Sequence, residues 1–162
     1  MGTASSTALW FLPFVIPIAI WAAYSDLSRM KIPNVSVLAL MIVFVVVGYV
    51  VLPTAEYWPR FIHFIVVFIL GFFMAMFGWI GAGDAKFAAA MAPFVALSDV
   101  TFVMILFGPI ALICIILHRI AKRTAIRSLV PSWESWSNTK QFPMGLPLAM
   151  TLVSYLGFAA LN

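Results

Sequence analysis

A chain of 162 residues that is 65% hydrophobic and only 9% charged, with a mean hydropathy of +1.13, lies far outside the range of soluble globular domains. Nine Lys/Arg against five Asp/Glu leave a net charge of +4, but the bases flank apolar runs, which points to orientation in a bilayer and away from nucleic acid. Those runs are continuous, which excludes the alternation of a transmembrane barrel, so the expectation is an all-α, polytopic transmembrane helical bundle with residues 1–162 as a single domain.

The start, MGTASS, fits only a short and weak myristoylation pattern. No signal peptide is evident, because no basic residue precedes the first apolar run and no small-residue cleavage site ends it. That run, residues 9–24, carries Pro13 and Pro17, which a membrane helix tolerates when neighbours satisfy the freed carbonyls. Trp21 and Tyr24 suit an interfacial belt. A polar loop is expected at 25–34, with Asp26, Arg29 and Lys31, ending in Ile32-Pro33-Asn34; Pro33 suits the first turn of a new helix. Residues 35–52 are rich in valine, yet their 18-residue length reads as a second span. A short loop is expected around Glu56, Tyr57, Trp58 and Arg60, then a third span at 61–80 with His63 as an interfacial side chain near its start.

The fourth run, 85–97, is short and contains Pro93; its Ala85, Ala88, Ala89 and Ala92 allow close helix approach. Ser98 and Asp99 form a tight connection to a fifth span at 100–117, which holds Gly108-Pro109 and Cys114. The longest polar segment, 118–141, carries Arg119, Lys122, Arg123, Arg127 and Lys140. Trp133 and Trp136 flank Glu134 there, and the segment is expected along the membrane surface against lipid. A last run at 143–161 brings the expectation to about six spans.

Asp84, in IGAGDAKFAAAMA, is the acid that organises this reading. It stands directly before a helical run, where it can cap the helix; Gly81 and Gly83 can be turn glycines and Lys86 an interfacial anchor. Six spans place the loops at 25–34, 81–86 and 118–142 on one side, with eight of the nine Lys/Arg, which makes that side cytoplasmic and puts both termini outside. Asp26 and Asp84 then share a side, Glu56 and Asp99 take the other, and Glu134 is the remaining rival. Two carboxylates brought close share a proton, so that one activates water and the other polarises a carbonyl. Such chemistry uses no metal, no cofactor and no nucleophilic serine or cysteine. Cys114 is a lone packing residue, and it forms no metal-ligand cluster with the distant His63 and His118. Residue chemistry alone leaves two readings open, a catalytic dyad or a helix cap beside a loop ion pair.

Asp26 followed by Lys31-Ile32-Pro33-Asn34, then Gly81-Ala82-Gly83-Asp84-Ala85-Lys86, then Pro143-Met144-Gly145-Leu146-Pro147, together resemble the type IV prepilin peptidase family. The resemblance implies an aspartic endopeptidase of the inner membrane that removes the basic leader of pilin-like precursors at the cytoplasmic face. Asp26 and Asp84 would be its catalytic pair, Gly81 and Gly83 would permit close backbone approach, and Pro33, Asn34 and Lys86 would support the motif. The implied partners are a pilin-like precursor and membrane lipid. The chain looks like the short, peptidase-only form associated with tight-adherence pili, without the cysteine-bearing segment and the methylation activity of larger members. Met144 stands where the family has an aromatic residue. The G-x-G-D element is shared in form with presenilin-type proteases, which cut within the bilayer. A rival from another class is a non-enzymatic transport or pilus-assembly subunit; it predicts acids recurring deeper inside the spans, and the sequence has none there.

Overall fold

The computed structural model describes residues 2–138 and 142–161, which are helical with no strand among them. The helices are α1 (Ser5–Arg29), α2 (Asn34–Val51), α3 (Thr54–Met76), α4 (Ala82–Met91), α5 (Val100–Arg123), the short α6 (Ile126–Leu129) and α7 (Gly145–Leu161). Among the described residues, four segments are long and apolar enough to cross a membrane: Ser5–Arg29, Asn34–Val51, Thr54–Met76 and Leu97–Arg123. The all-α bundle is as expected; α4, already short in the sequence, and α7 fall below the length of those four. The ten residues of α4 reach about 15 Å, half the thickness of a hydrocarbon core. Pro93 cannot donate to a continuing helix, so the chain leaves α4 through 3-10 turns at Ala92–Phe94 and Leu97–Asp99. At 17 residues, α7 is also shorter than a typical span.

Four boundaries move as well. Helix α1 continues past Tyr24, so Asp26 lies on its last turns and not in a loop; the helix stops where Met30 turns left-handed (φ 52°) and donates its N–H to the Asp26 carbonyl at 2.9 Å. Glu56 to Arg60 are the opening turns of α3 and not a loop, because Glu56 and Arg60 pair at 3.1 Å across one turn. That helix ends at Met76, before residue 80, and Gly78 takes a positive φ of 75° in the connector that follows. Pro33 is the residue ahead of α2 rather than in its first turn, and its carbonyl accepts the Ser36 N–H.

In the bundle, α1 packs on both α2 and α7; α4 packs on α3, α2 and α7; α5 leans on α7. One end is filled by rings: fully buried Phe11, Phe44 and Phe94 meet with centroids 4.8 and 5.4 Å apart, and Tyr57 and Phe61 close on Phe44. Where α3 passes α4, a Cβ on Gly71 would stand 3.1 Å from that of Ala85, so this glycine sets the approach of the two helices. The outward faces of α3 and α5 expose Ile62, Ile69, Phe72, Met104, Ile105 and Leu112, a surface suited to lipid.

The filled end also settles the break at Pro93. Buried Arg60 donates to the Pro93 and Phe94 carbonyls at 3.3 and 3.2 Å, and His63 Nδ1 stands 3.2 Å from the Val95 carbonyl. Those are carbonyls that an unbroken helix would have satisfied itself. Asp99, beside them, accepts the N–H groups of Gly2 (2.8 Å) and Thr3 (3.3 Å) and the hydroxyl of Tyr155 (2.8 Å). The turn is thereby tied to the start of α1 and the far part of α7.

Candidate active site

The opposite end is built differently. Here α1 and α3 finish while α2, α4 and α7 begin, and between them lies a cavity of about 700 Å³, with Asp26, Ile32, Trp79, Asp84, Phe142 and Met144 among the residues that line it. The two acids reach it from separate helices. Asp26, only 5% exposed, projects from the last turns of α1, and the Gly145 N–H at the start of α7 donates to its Oδ2 at 2.7 Å. Asp84 is the third residue of α4, at the lip of the bundle outside the four long spans, and it is half-buried. Burial pushes its carboxyl up to about 6, the negative charge of Asp26 adds to this, and the Gly81 backbone N–H pulls the other way. The capping expectation for Asp84 thus survives in part, while the same carboxyl faces the cavity and feels the second acid.

The other residues predicted for the site fall around these two. A Cβ on Gly81 would stand 2.6 Å from Asp84 Oδ2, so any side chain there would displace the carboxyl. Gly83 acts one step away: its Cβ position lies 3.4 Å from the Cβ of Ile32, which is wedged between α4 and α7 with only 8% of its surface exposed. Pro33 opens α2, and Asn34, its first residue, accepts a hydrogen bond from Lys86 Nζ at 3.2 Å. This bond joins two motif elements across the rim of the cavity and gives Lys86 a partner other than Asp84. Lys31, exposed, lines the cavity too.

Several expectations are revised here. Glu134 is exposed and does not line the cavity, so it drops out as a rival acid. The segment around it packs in part onto the bundle. Trp136 is 4% exposed, donates through Nε1 to the Val130 carbonyl at 2.8 Å, and stacks on His118 (4.9 Å) and Trp133 (5.6 Å). Tyr24 of α1 meets Trp133 edge-on. An aromatic stack can bury ring area against a helix end more fully than a flat surface helix could. Lys140 lies outside the described residues. Cys114 is buried and packs its sulfur 3.4 Å from that of Met150, as a small packing residue does. Gly145 and Ile32 were missed as functional positions. The available signal was a lone glycine inside Pro143-Met144-Gly145-Leu146-Pro147 at a helix start, and an apolar residue locked before a proline.

Among the described residues no group of three or more His, Cys, Asp or Glu gathers as a metal site would require. The arrangement is two carboxyls of separate origin, one held by a backbone N–H and one inclined to keep its proton, at an opening large enough for an extended peptide segment and water. The sequence model of the type IV leader peptidase family matches residues 13–117. The chain belongs to that family. The matched region takes in both acids, both glycines of G-x-G-D, Pro33, Asn34 and Lys86. No curated protein and no solved structure matches the chain. Membership in the leader peptidase family, together with four helices able to cross a bilayer, makes this a membrane protein of peptidase type.

Proposed function

We propose that this leader peptidase relative is an aspartic endopeptidase that cuts the basic leader from pilin-like precursors, using Asp26, Asp84 and one water. The observation that carries the reading is that two acids from different helices line one cavity and interact: the charge of Asp26 is among the causes that raise Asp84 to about 6. Asp84 is then the acid that holds the shared proton, and Asp26, steadied by the Gly145 N–H, is the base. Asp26 takes a proton from water as the hydroxide oxygen bonds to the scissile carbonyl carbon, and Asp84 gives its proton to the carbonyl oxygen. The tetrahedral adduct collapses when the proton on Asp26 passes to the leaving nitrogen and the C–N bond breaks. The hydroxyl proton returns to Asp84 as the new carboxyl forms, so the pair ends as it began.

The charge pattern supports a cytoplasmic position for this end. Arg29, Lys31 and Lys86 surround it, and Arg119, Lys122, Arg123 and Arg127 follow at the same end of α5 and on α6. A precursor whose apolar helix lies in the bilayer presents its leader there. Because that leader is basic, the carboxylates attract it while the lysines at the rim do not, which favours an approach over Asp26 and Asp84.

The test is to reconstitute the chain in vesicles with a pilin-like precursor bearing a basic leader, and to read the amino terminus of the product by mass spectrometry. Cleavage just ahead of the apolar segment, lost in both Asp26→Asn and Asp84→Asn while the variants stay folded, is the expected result. Cutting by either variant at the wild-type rate ends the proposal, and cleavage inside the apolar segment replaces it with a presenilin-like mode.

A further inference from the structure

The geometry points to Gly145 as a positioning residue that sets the Asp26 carboxylate through its backbone N–H and through having no side chain. The inference rests on the reading of Asp26 as the base. Three observations carry it. First, the Gly145 N–H donates to Asp26 Oδ2 at 2.7 Å in a buried contact between residues 119 apart in sequence. Second, Gly145 is the first residue of α7, where N–H groups have no partner within the helix and the positive end of the helix dipole faces an acid. Pro147 offers no N–H of its own, so fewer donors of this turn compete for the carboxylate. Third, the space is closed on every side that matters. A Cβ at 145 would stand 2.9 Å from Asp26 Oδ2, 3.0 Å from Asp26 Cβ and 3.0 Å from Ile32 Cδ1, and Ile32 is itself buried at 8% exposed.

The contact therefore does more than fill a gap. An aspartate has two side-chain torsions, and a base must present its free oxygen to water within a few tenths of an ångström. With Oδ2 held from behind and no bond to Oδ1 among the described residues, Oδ1 is the oxygen placed to take the water proton. Among the described residues, the charged groups on the elements around the acid are Asp84 and Lys86 on α4, Lys31 on the connector, Arg29 on α1 itself, and the exposed Glu134 on the turn that packs against α1; α7 and α2 bring none. Gly145 is thus the neutral donor that fixes the carboxylate without neutralising it.

The experiment compares Gly145→Ala, which keeps the N–H and adds the Cβ, with Gly145→Pro, which adds the Cβ and removes the N–H at the one helical position where proline fits. Both are assayed in vesicles beside wild type and Asp26→Asn, using the precursor that wild type cleaves, with kcat counted per folded molecule and the unfolding midpoint recorded. Expected are a kcat lowered roughly tenfold in the alanine variant and roughly a hundredfold in the proline variant, with KM held within about twofold. A variant that is merely misfolded would lower its midpoint and its folded yield without this split. Wild-type kcat in a folded Gly145→Ala overturns the inference, whatever the fate of the proline variant. If wild type cleaves nothing, or Asp26→Asn still cleaves, the functional reading fails first, so the two failures are told apart.

Discussion

Asp26 and Asp99 are buried to the same degree, 5% and 6% exposed, yet they end in opposite circumstances. At the filled end Asp99 accepts the Gly2 and Thr3 N–H groups and the Tyr155 hydroxyl, beside a proline break whose carbonyls are taken by Arg60 and His63. At the open end Asp26 accepts the Gly145 N–H and faces a cavity shared with a second acid. Burial alone does not mark an acid as chemical. What separates the two is how completely the protein answers the charge: an acid met by several donors is structural, and one left facing space and another acid is available for work.

The comparison can be broken most sharply by neutralising each acid in turn. Asp26→Asn and Asp84→Asn should each lower leader cleavage by roughly 10²–10⁴-fold, the range expected for a lost acid or base, with the unfolding midpoint retained. A midpoint that falls as far as in an Asp99 variant would erase the distinction between the ends. The second prediction concerns pH. Asp84, raised to about 6, holds its proton below that value and loses it above, so cleavage should fall about tenfold for each pH unit above 6 and should decline again in acid as the base is protonated. Stability has the same sign. A carboxyl raised on folding contributes stability that is fully present below the ordinary carboxylate range and is lost as pH rises through 6, so the folded chain should be more stable at pH 5 than at pH 7, and Asp84→Asn should shrink that difference.

Third, Asp99→Ala should remove the acceptor of the Gly2 and Thr3 amides, at about 1–3 kcal/mol for a buried group left unpaired, with turnover per folded molecule unchanged. A detergent-stability titration read beside the cleavage assay checks both halves of that statement. Smallest is the change expected at the rim: Lys86→Gln should cost less than about 1 kcal/mol, since its bond to Asn34 is exposed. A large loss of cleavage there, with stability intact, would mean that the lysine meets substrate.

The open end was the more legible of the two in the sequence. Continuous apolar runs and the parity of the spans were enough to bring Asp26 and Asp84 to one end, because topology needs only the order of the helices. Helix ends were less legible. Asp26 and Glu56 read as loop residues, yet polar side chains are tolerated in the first and last turns of membrane helices, where they reach the bundle's ends. The run at 85–97 read as a span because hydropathy registers apolar content and not the length of unbroken helix. The partners of Asp99 were out of reach, since they lie 97, 96 and 56 residues away and carry no pattern of their own. Gly145 stood in a quoted motif, but a donor that belongs to the backbone has no residue type to announce it.

The distance along the chain between Asp26 and Gly145 also sets an order of events during synthesis. Both carboxyls are made early, while the glycine that holds one of them follows 119 residues later, about 6–24 s at ribosomal rates of 5–20 residues per second. Until α7 is inserted, the nascent chain carries both acids with the Asp26 carboxyl not yet met by that N–H. The proposed catalytic pair is therefore completed only when α7 has been inserted.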